Sequence, residues 1–169
     1  ANPFSAPLTI AQSMKAAQPA PNVTIGDDGK IYVLYQDTVN KQTNIFLKTS
    51  TDNGKSFSEP VRVNLLDGNV ALDGRVAPTI QLGDNGEVYV TWANSRYEPN
   101  MFMGNYRQLV FTQSLDDGKS FEPSITIGSE ELHSGKYFQH MSVDAFGGIH
   151  MAWLDGPAKM NATGYMEKD

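Results

Sequence analysis

The 169-residue chain carries a formal net charge of −6 and only four arginines, a balance that argues against nucleic acid or an anionic membrane surface as a partner. It has no cysteine, which excludes thiolate chemistry, disulfides and Cys-ligated metals, and no apolar run approaches the length of a membrane span. The length suits one domain with an adequate core.

Residues 1–20 form an Ala/Pro-rich lead that begins at Ala1 rather than Met, as expected of a mature exported protein or a trimmed chain. The expected location is secreted, periplasmic or at the cell surface. Helix signals are weak throughout, and only Leu8 to Ala17 would support a turn or two of helix. From Pro21 onward the pattern is strand-like. Pro21 to Tyr35, Pro78 to Trp92 and Gln139 to Trp153 align without gaps, each as a strand, a tight Gly-containing turn and a second strand. Asp28-Gly29, Asn85-Gly86 and Gly147-Gly148 supply strong hairpin signals. By the period of two, Ile31/Val33/Tyr35, Val88/Val90/Trp92 and Ile149/Met151/Trp153 share one face.

A third strand follows each of the first two hairpins, at Asn44 to Thr49 and Gln108 to Gln113. Each then runs into one phrase written twice, Ser50-Thr51-Asp52-Asn53-Gly54-Lys55-Ser56-Phe57 and Ser114-Leu115-Asp116-Asp117-Gly118-Lys119-Ser120-Phe121. Short strands follow at Pro60 to Val63 and Ser124 to Ile127, so the phrase is a hairpin turn. Ser and Asp side chains accept from nearby backbone N–H groups, Gly supplies a positive φ, and the Phe folds back as an apolar plug. An EF-hand is a poorer match, because the later acidic ligand and the flanking helices are missing.

One repeat is thus a four-stranded antiparallel unit. Units at about 21–64 and 78–128 are complete, and a third over 139–169 stops after its first hairpin, with Gly164 to Asp169 resembling the start of a third strand. Such units predict propeller blades, each needing neighbours to bury both faces. The expected fold class is all-β, a partial β-propeller with about two and a half blades present. Its open faces are expected to be covered by further blades, by a protein partner or by self-association.

The paired Ser-x-Asp-x-Gly-x-x-Phe turns resemble the Asp-boxes, or BNR repeats, of the sialidase superfamily, over about residues 18–169. The resemblance implies a parent propeller of six or seven blades, with the boxes at the blade periphery. It also implies that the loops joining strand two to three, and strand four to the next blade, carry the ligand site. In this chain those loops run over 37–44, 64–77, 94–107, 128–140 and 155–164, and the candidate ligand or partner residues are Asp73, Arg75, Arg96, Tyr97, Tyr106, Arg107, His133 and Tyr137. Loops on a rigid scaffold are the usual place for recognition.

A sialidase, by the same resemblance, needs three arginines on the substrate carboxylate, a Tyr nucleophile with a Glu base, and an Asp acid. The first arginine usually stands in an Arg-Ile-Pro phrase, which is absent here; Arg75-Val76-Ala77-Pro78 is the nearest approach. The favoured expectation is therefore a non-catalytic propeller that holds a glycan or a protein, as a scaffold or an accessory subunit of an envelope complex. The alternative is the N-terminal part of an exo-α-sialidase-type hydrolase, with Asp73 as its acid. Neither reading assigns a cofactor or a metal. His140 and His150 fall on the hairpin repeat, and Tyr97, Phe102, Tyr106, Tyr137 and Phe138 offer a sugar-stacking platform or a protein hot spot.

Overall fold

The computed structural model describes residues 6–11, 21–66, 70–72, 74–97, 105–128 and 136–155. These form ten strands: β1 (Asn22–Ile25), β2 (Ile31–Val39), β3 (Gln42–Ser50), β4 (Val61–Arg62), β5 (Thr79–Leu82), β6 (Val88–Tyr97), β7 (Asn105–Ser114), β8 (Ile125–Thr126), β9 (Lys136–Val143) and β10 (Ile149–Asp155). They make two four-stranded antiparallel sheets, β1-β2-β3-β4 and β5-β6-β7-β8, and a two-stranded sheet of β9 and β10. The all-β expectation and the gapless repeat both hold. The only described helix is a 3₁₀ turn at Gly74–Val76; of the expected helical stretch, residues 8–11 are irregular and 12–17 lie outside the described residues. No described helix is long and apolar enough to cross a membrane. The expected third strand near Gly164 lies outside the described residues.

The three hairpin turns share one geometry. Gly26 N, Gly83 N and Asp144 N donate to the carbonyls of Lys30, Glu87 and Gly148, and Gly29, Gly86 and Gly147 take φ of 81°, 88° and 80°. A left-handed residue at the end of a short loop matches the turn to the twist of its strands, and glycine takes that φ without a Cβ penalty.

The two Ser/Asp turns are equally alike. Ser50 Oγ donates to Asp52 Oδ1 at 2.8 Å and accepts from Gly54 N at 2.9 Å, while Ser56 N and Oγ reach the Asp52 carboxylate. Ser114, Asp116, Gly118 and Ser120 repeat this pattern. Hydrogen bonds from Ser120 and Ser114 hold the Asp116 carboxyl down at about 2, and Asp52 is lowered in the same way. Phe121 enters the core, whereas Phe57 is only half-buried.

The sheets lie side by side, with β5 against both β1 and β9. One face of the first sheet, with Tyr32, Leu34, Ile45 and Leu47, meets Ile80, Val88, Val90, Trp92 and Val110 of the second in a single buried cluster. The other face of the second sheet turns to β9, where Ala71, Val76 and Ala93 are joined by Tyr137. Strand periodicity thus does double duty in the second sheet, which is apolar on both faces because it has a neighbour on both sides. The described row is open at its ends. Val23 and Ile25 of β1 are each 63% exposed, and Leu154 of β10 is 62% exposed.

A polar latch fixes adjacent sheets in register. Asp117, from the second Ser/Asp turn, accepts hydrogen bonds from Lys30 Nζ and Tyr32 OH of the first sheet. Burial alone would raise the Asp117 carboxyl, but the hydrogen bonds from Lys30 and Tyr32 outweigh it and hold it below its ordinary value. The unfolded chain therefore takes up this proton first, so the stabilisation is complete at neutral pH and is lost as pH falls below about 4. Asp117→Ala is expected to cost about 1–2 kcal/mol at pH 7, a figure discounted because the side chain is 39% exposed. Urea unfolding should show the gap between variant and parent narrowing toward pH 3.

Candidate functional site

The β2–β3 turn, the described part of the β4–β5 connection, the end of β6 and the start of β7 lie at one end of the sheets, which we call the loop end. The hairpin glycines and the Ser/Asp turns lie at the other. The expected loops are shorter than their sequence suggests. Asn40 and Lys41, at φ 52° and 65°, close a two-residue turn within 37–44, because positive φ at both positions matches the strand twist. Within 94–107, β6 runs on to Tyr97 and β7 starts at Asn105, so Arg96 pairs with Tyr106 and Ser95 with Arg107 along a ladder. Arg107 Nη1 donates to Ser95 Oγ at 3.1 Å. Tyr137 likewise lies in β9 rather than in a loop. Asp73 and His133 lie outside the described residues.

The 70–77 segment is the centre of this end. Val70 bridges to Asn94, and Ala71 N donates to Ala93 O at 2.9 Å, which lays the segment on the end of β6. Two buried glutamines brace it from opposite sides: Gln36 Nε2 of β2 donates to Ala71 O at 3.1 Å, and Gln139 Nε2 of β9 to Ala77 O at 2.8 Å. The connection therefore touches all three sheets. Sequence reasoning missed both glutamines. A signal existed, since Gln36 stands where the aligned repeats have Ala93 and Leu154, an apolar alternation broken by an amide.

Between those braces the 3₁₀ turn lifts Arg75 to the surface, where its guanidinium lies 5.0 Å from the centre of the Tyr137 ring. The ring is fixed by its packing on Ala71, Val76 and Ala93. Next to it Phe138 has φ 54°, a conformation that bulky L-residues pay to adopt, and the β9–β10 register slips nearby, between Ala152 and Leu154. Gln36 Oε1, Gln139 Oε1 and Thr79 Oγ1 are buried with no hydrogen-bond partner among the described residues. The structure thus joins Arg75 with Tyr137 and, separately, Arg107 with Ser95. It aligns Arg96, Tyr97 and Tyr106 only by backbone register.

Two clefts open at the opposite end, which the sequence reading did not single out. One, of about 660 Å³, lies between the first two hairpin turns and is lined by Asp27, Asp28, Asp84, Glu87 and Asp117. The other, of about 260 Å³, lies between the second and third hairpin turns, beside Tyr89, Asp144 and the fully exposed Phe146. Most of these carboxylates are already engaged. Hydrogen bonds from His150, Gly148 N and Phe146 N hold the Asp144 carboxyl down at about 2, and Glu87 accepts from Asn85 N. His150 and His140 both sit on the third sheet, as the repeat implied.

No protein-family model and no curated protein matches the chain. Two solved structures of an ulvan lyase, of the polysaccharide lyase family PL25, are similar to it. The likeness is one of fold. The TM-score is 0.60 in both cases, at 16% and 15% sequence identity, and one of the two lyase structures is bound to -[GlcA(1-4)Rha3S]-. The likeness covers 85% of this chain but only 38% of the ulvan lyase chain, so the chain spans well under half of that protein's length.

Proposed function

We propose that the chain is part of an Asp-box β-propeller of the sialidase-superfamily type, exported, and that it binds an acidic glycan at its loop end without catalysing a reaction on it. The repeated four-stranded sheets, the two matching Ser/Asp turns and the contact between first strands support the propeller. The observation that carries the glycan reading is the Arg75 guanidinium held against the Tyr137 ring on a connection braced from two sheets. An aromatic face takes the C–H surface of a sugar, and a guanidinium fork takes a carboxylate or sulfate with two hydrogen bonds. Preorganisation by Gln36 and Gln139 lowers the ordering cost of binding. The likeness to an ulvan lyase adds a neighbour whose bound ligand is -[GlcA(1-4)Rha3S]-, an acidic saccharide. Other blades, from the same polypeptide or from a protein partner, complete the ring over the exposed Val23, Ile25 and Leu154.

Calorimetric titration with a glucuronate-rhamnose oligosaccharide tests this reading. Arg75→Ala is expected to weaken binding roughly tenfold or more, the loss of one charge-assisted contact, with little change in stability because Arg75 is exposed. Arg62→Ala, on the outer strand β4, should leave affinity unchanged. No binding by the parent protein would overturn the reading. The exo-sialidase alternative would be favoured instead by hydrolysis of a fluorogenic sialoside.

A further inference from the structure

Among the described residues no sheet packs on the outward face of the first sheet, yet that face is unevenly exposed. By register this face carries Val23 and Ile25 of β1, Ile31, Val33 and Tyr35 of β2, and Phe46 and Lys48 of β3. Val23 and Ile25 stand 63% exposed, whereas Val33, paired directly with both Val23 and Lys48, is only 8% exposed. Lys48 is half-buried as well, although nothing about a lysine at the centre of an open sheet face favours that. Its partner explains it. Lys48 Nζ donates to the carbonyl oxygen of Ile10 at 2.9 Å, across a long separation in sequence, and Ile10 is itself half-buried.

We propose that residues 6–11 form a strap over the β2–β3 half of this face, pinned by Lys48 and shielding Val33, and that they hold the place a neighbouring sheet would take. The second sheet shows what such a place normally receives. Its equivalent residues Val88, Val90 and Trp92 are sealed by the first sheet, and Trp92 is 1% exposed. The strap offers the same face one carbonyl for the lysine and the Ile10 side chain for the apolar surface. It leaves the β1 half, Val23 and Ile25, open. An exposed face of this kind is an association hazard, so the strap's role is to keep the first sheet from docking onto other copies until a proper neighbour displaces it.

The experiment compares the full chain with a variant lacking residues 1–11, by sedimentation velocity and by fluorescence of a dye that binds apolar surface. The shortened chain is expected to bind at least twofold more dye and to associate at roughly fivefold lower concentration, and a synthetic peptide of residues 1–20 added in trans should reverse both. A shortened chain that matches the parent in both measurements, or one that the peptide does not restore, overturns the proposal. If the deletion does not fold, Lys48→Met in the full chain keeps the apolar stem and removes the hydrogen bond. Proteolysis within residues 6–11 should then run roughly tenfold faster, as loss of one hydrogen bond to a charged donor implies, and an unchanged rate would overturn the strap.

Discussion

Trp92→Ala is expected to destabilise the protein by about 3–5 kcal/mol, the usual cost of deleting a large aromatic from a packed core. Trp92 is 1% exposed and packs in the cluster shared by the first two sheets, and its indole N–H donates to Asn94 Oδ1 at 2.8 Å. Against a typical total of about 5–15 kcal/mol, the loss would leave the variant marginal. The informative control is Tyr35→Ala. Tyr35 is the aligned residue of the first sheet, stacked on Phe46 with ring centres 5.7 Å apart, but it lies on the outward face and is only half-buried. Its loss should cost about 1–2 kcal/mol, in line with partial burial. Chemical denaturation of both variants checks the pair. Equal losses would contradict the side-by-side packing of sheets, which seals Trp92 and leaves Tyr35 half-buried.

Gly118→Ala should be much more damaging than Gly54→Ala, although the two glycines occupy the same place in the same phrase. Both have left-handed backbones, φ 81° and 78°, so alanine carries a penalty of about 1 kcal/mol at either site. What differs is the surroundings. A Cβ on Gly118 would stand 2.7 Å from Leu47 Cδ2 of the first sheet, and Leu47 is completely buried and has nowhere to swing. A Cβ on Gly54 would meet only Ile31 Cδ1, at an ordinary 3.6 Å. The expected costs are about 2–3 kcal/mol for Gly118→Ala and about 1 kcal/mol for Gly54→Ala, read from thermal or denaturant unfolding. The second Ser/Asp turn is therefore an inter-sheet contact as well as a hairpin turn, through Gly118 against Leu47 and Asp117 against Lys30 and Tyr32.

That double role marks the boundary of what could be read from the residues alone. The strands, their faces and both kinds of turn were legible, because period-two alternation and the Asp-Gly, Asn-Gly and Ser-x-Asp-x-Gly signals are local. Asp117 reads locally as one more turn residue beside Asn53. Only the neighbouring sheet makes it an ion-pair partner, and no spacing in sequence encodes that. The loop lengths were overestimated for a similar reason. Polar residues such as Asp37, Thr38, Asn94 and Ser95 look like loop, yet they continue the β2 and β6 ladders, since ladder hydrogen bonds are made by backbone whatever the side chain. At the candidate site, Arg75 and Tyr137 stood out as residue types but their pairing did not. Arg75 stands on the connection between the first two sheets and Tyr137 in the third sheet, and the two glutamines that position the connection carry no motif of their own.

The most direct test of the glycan-binding account is to titrate the isotopically labelled protein with a glucuronate-rhamnose oligosaccharide and follow the backbone amides one by one. The account predicts saturable shifts at Arg75, Tyr137 and the ends of β6 and β7 near Ser95 and Arg107, with the hairpin turns at Gly29, Gly86 and Gly147 unmoved. Shifts confined to the acidic clefts around Asp84 and Asp117, or none at any concentration, would contradict it.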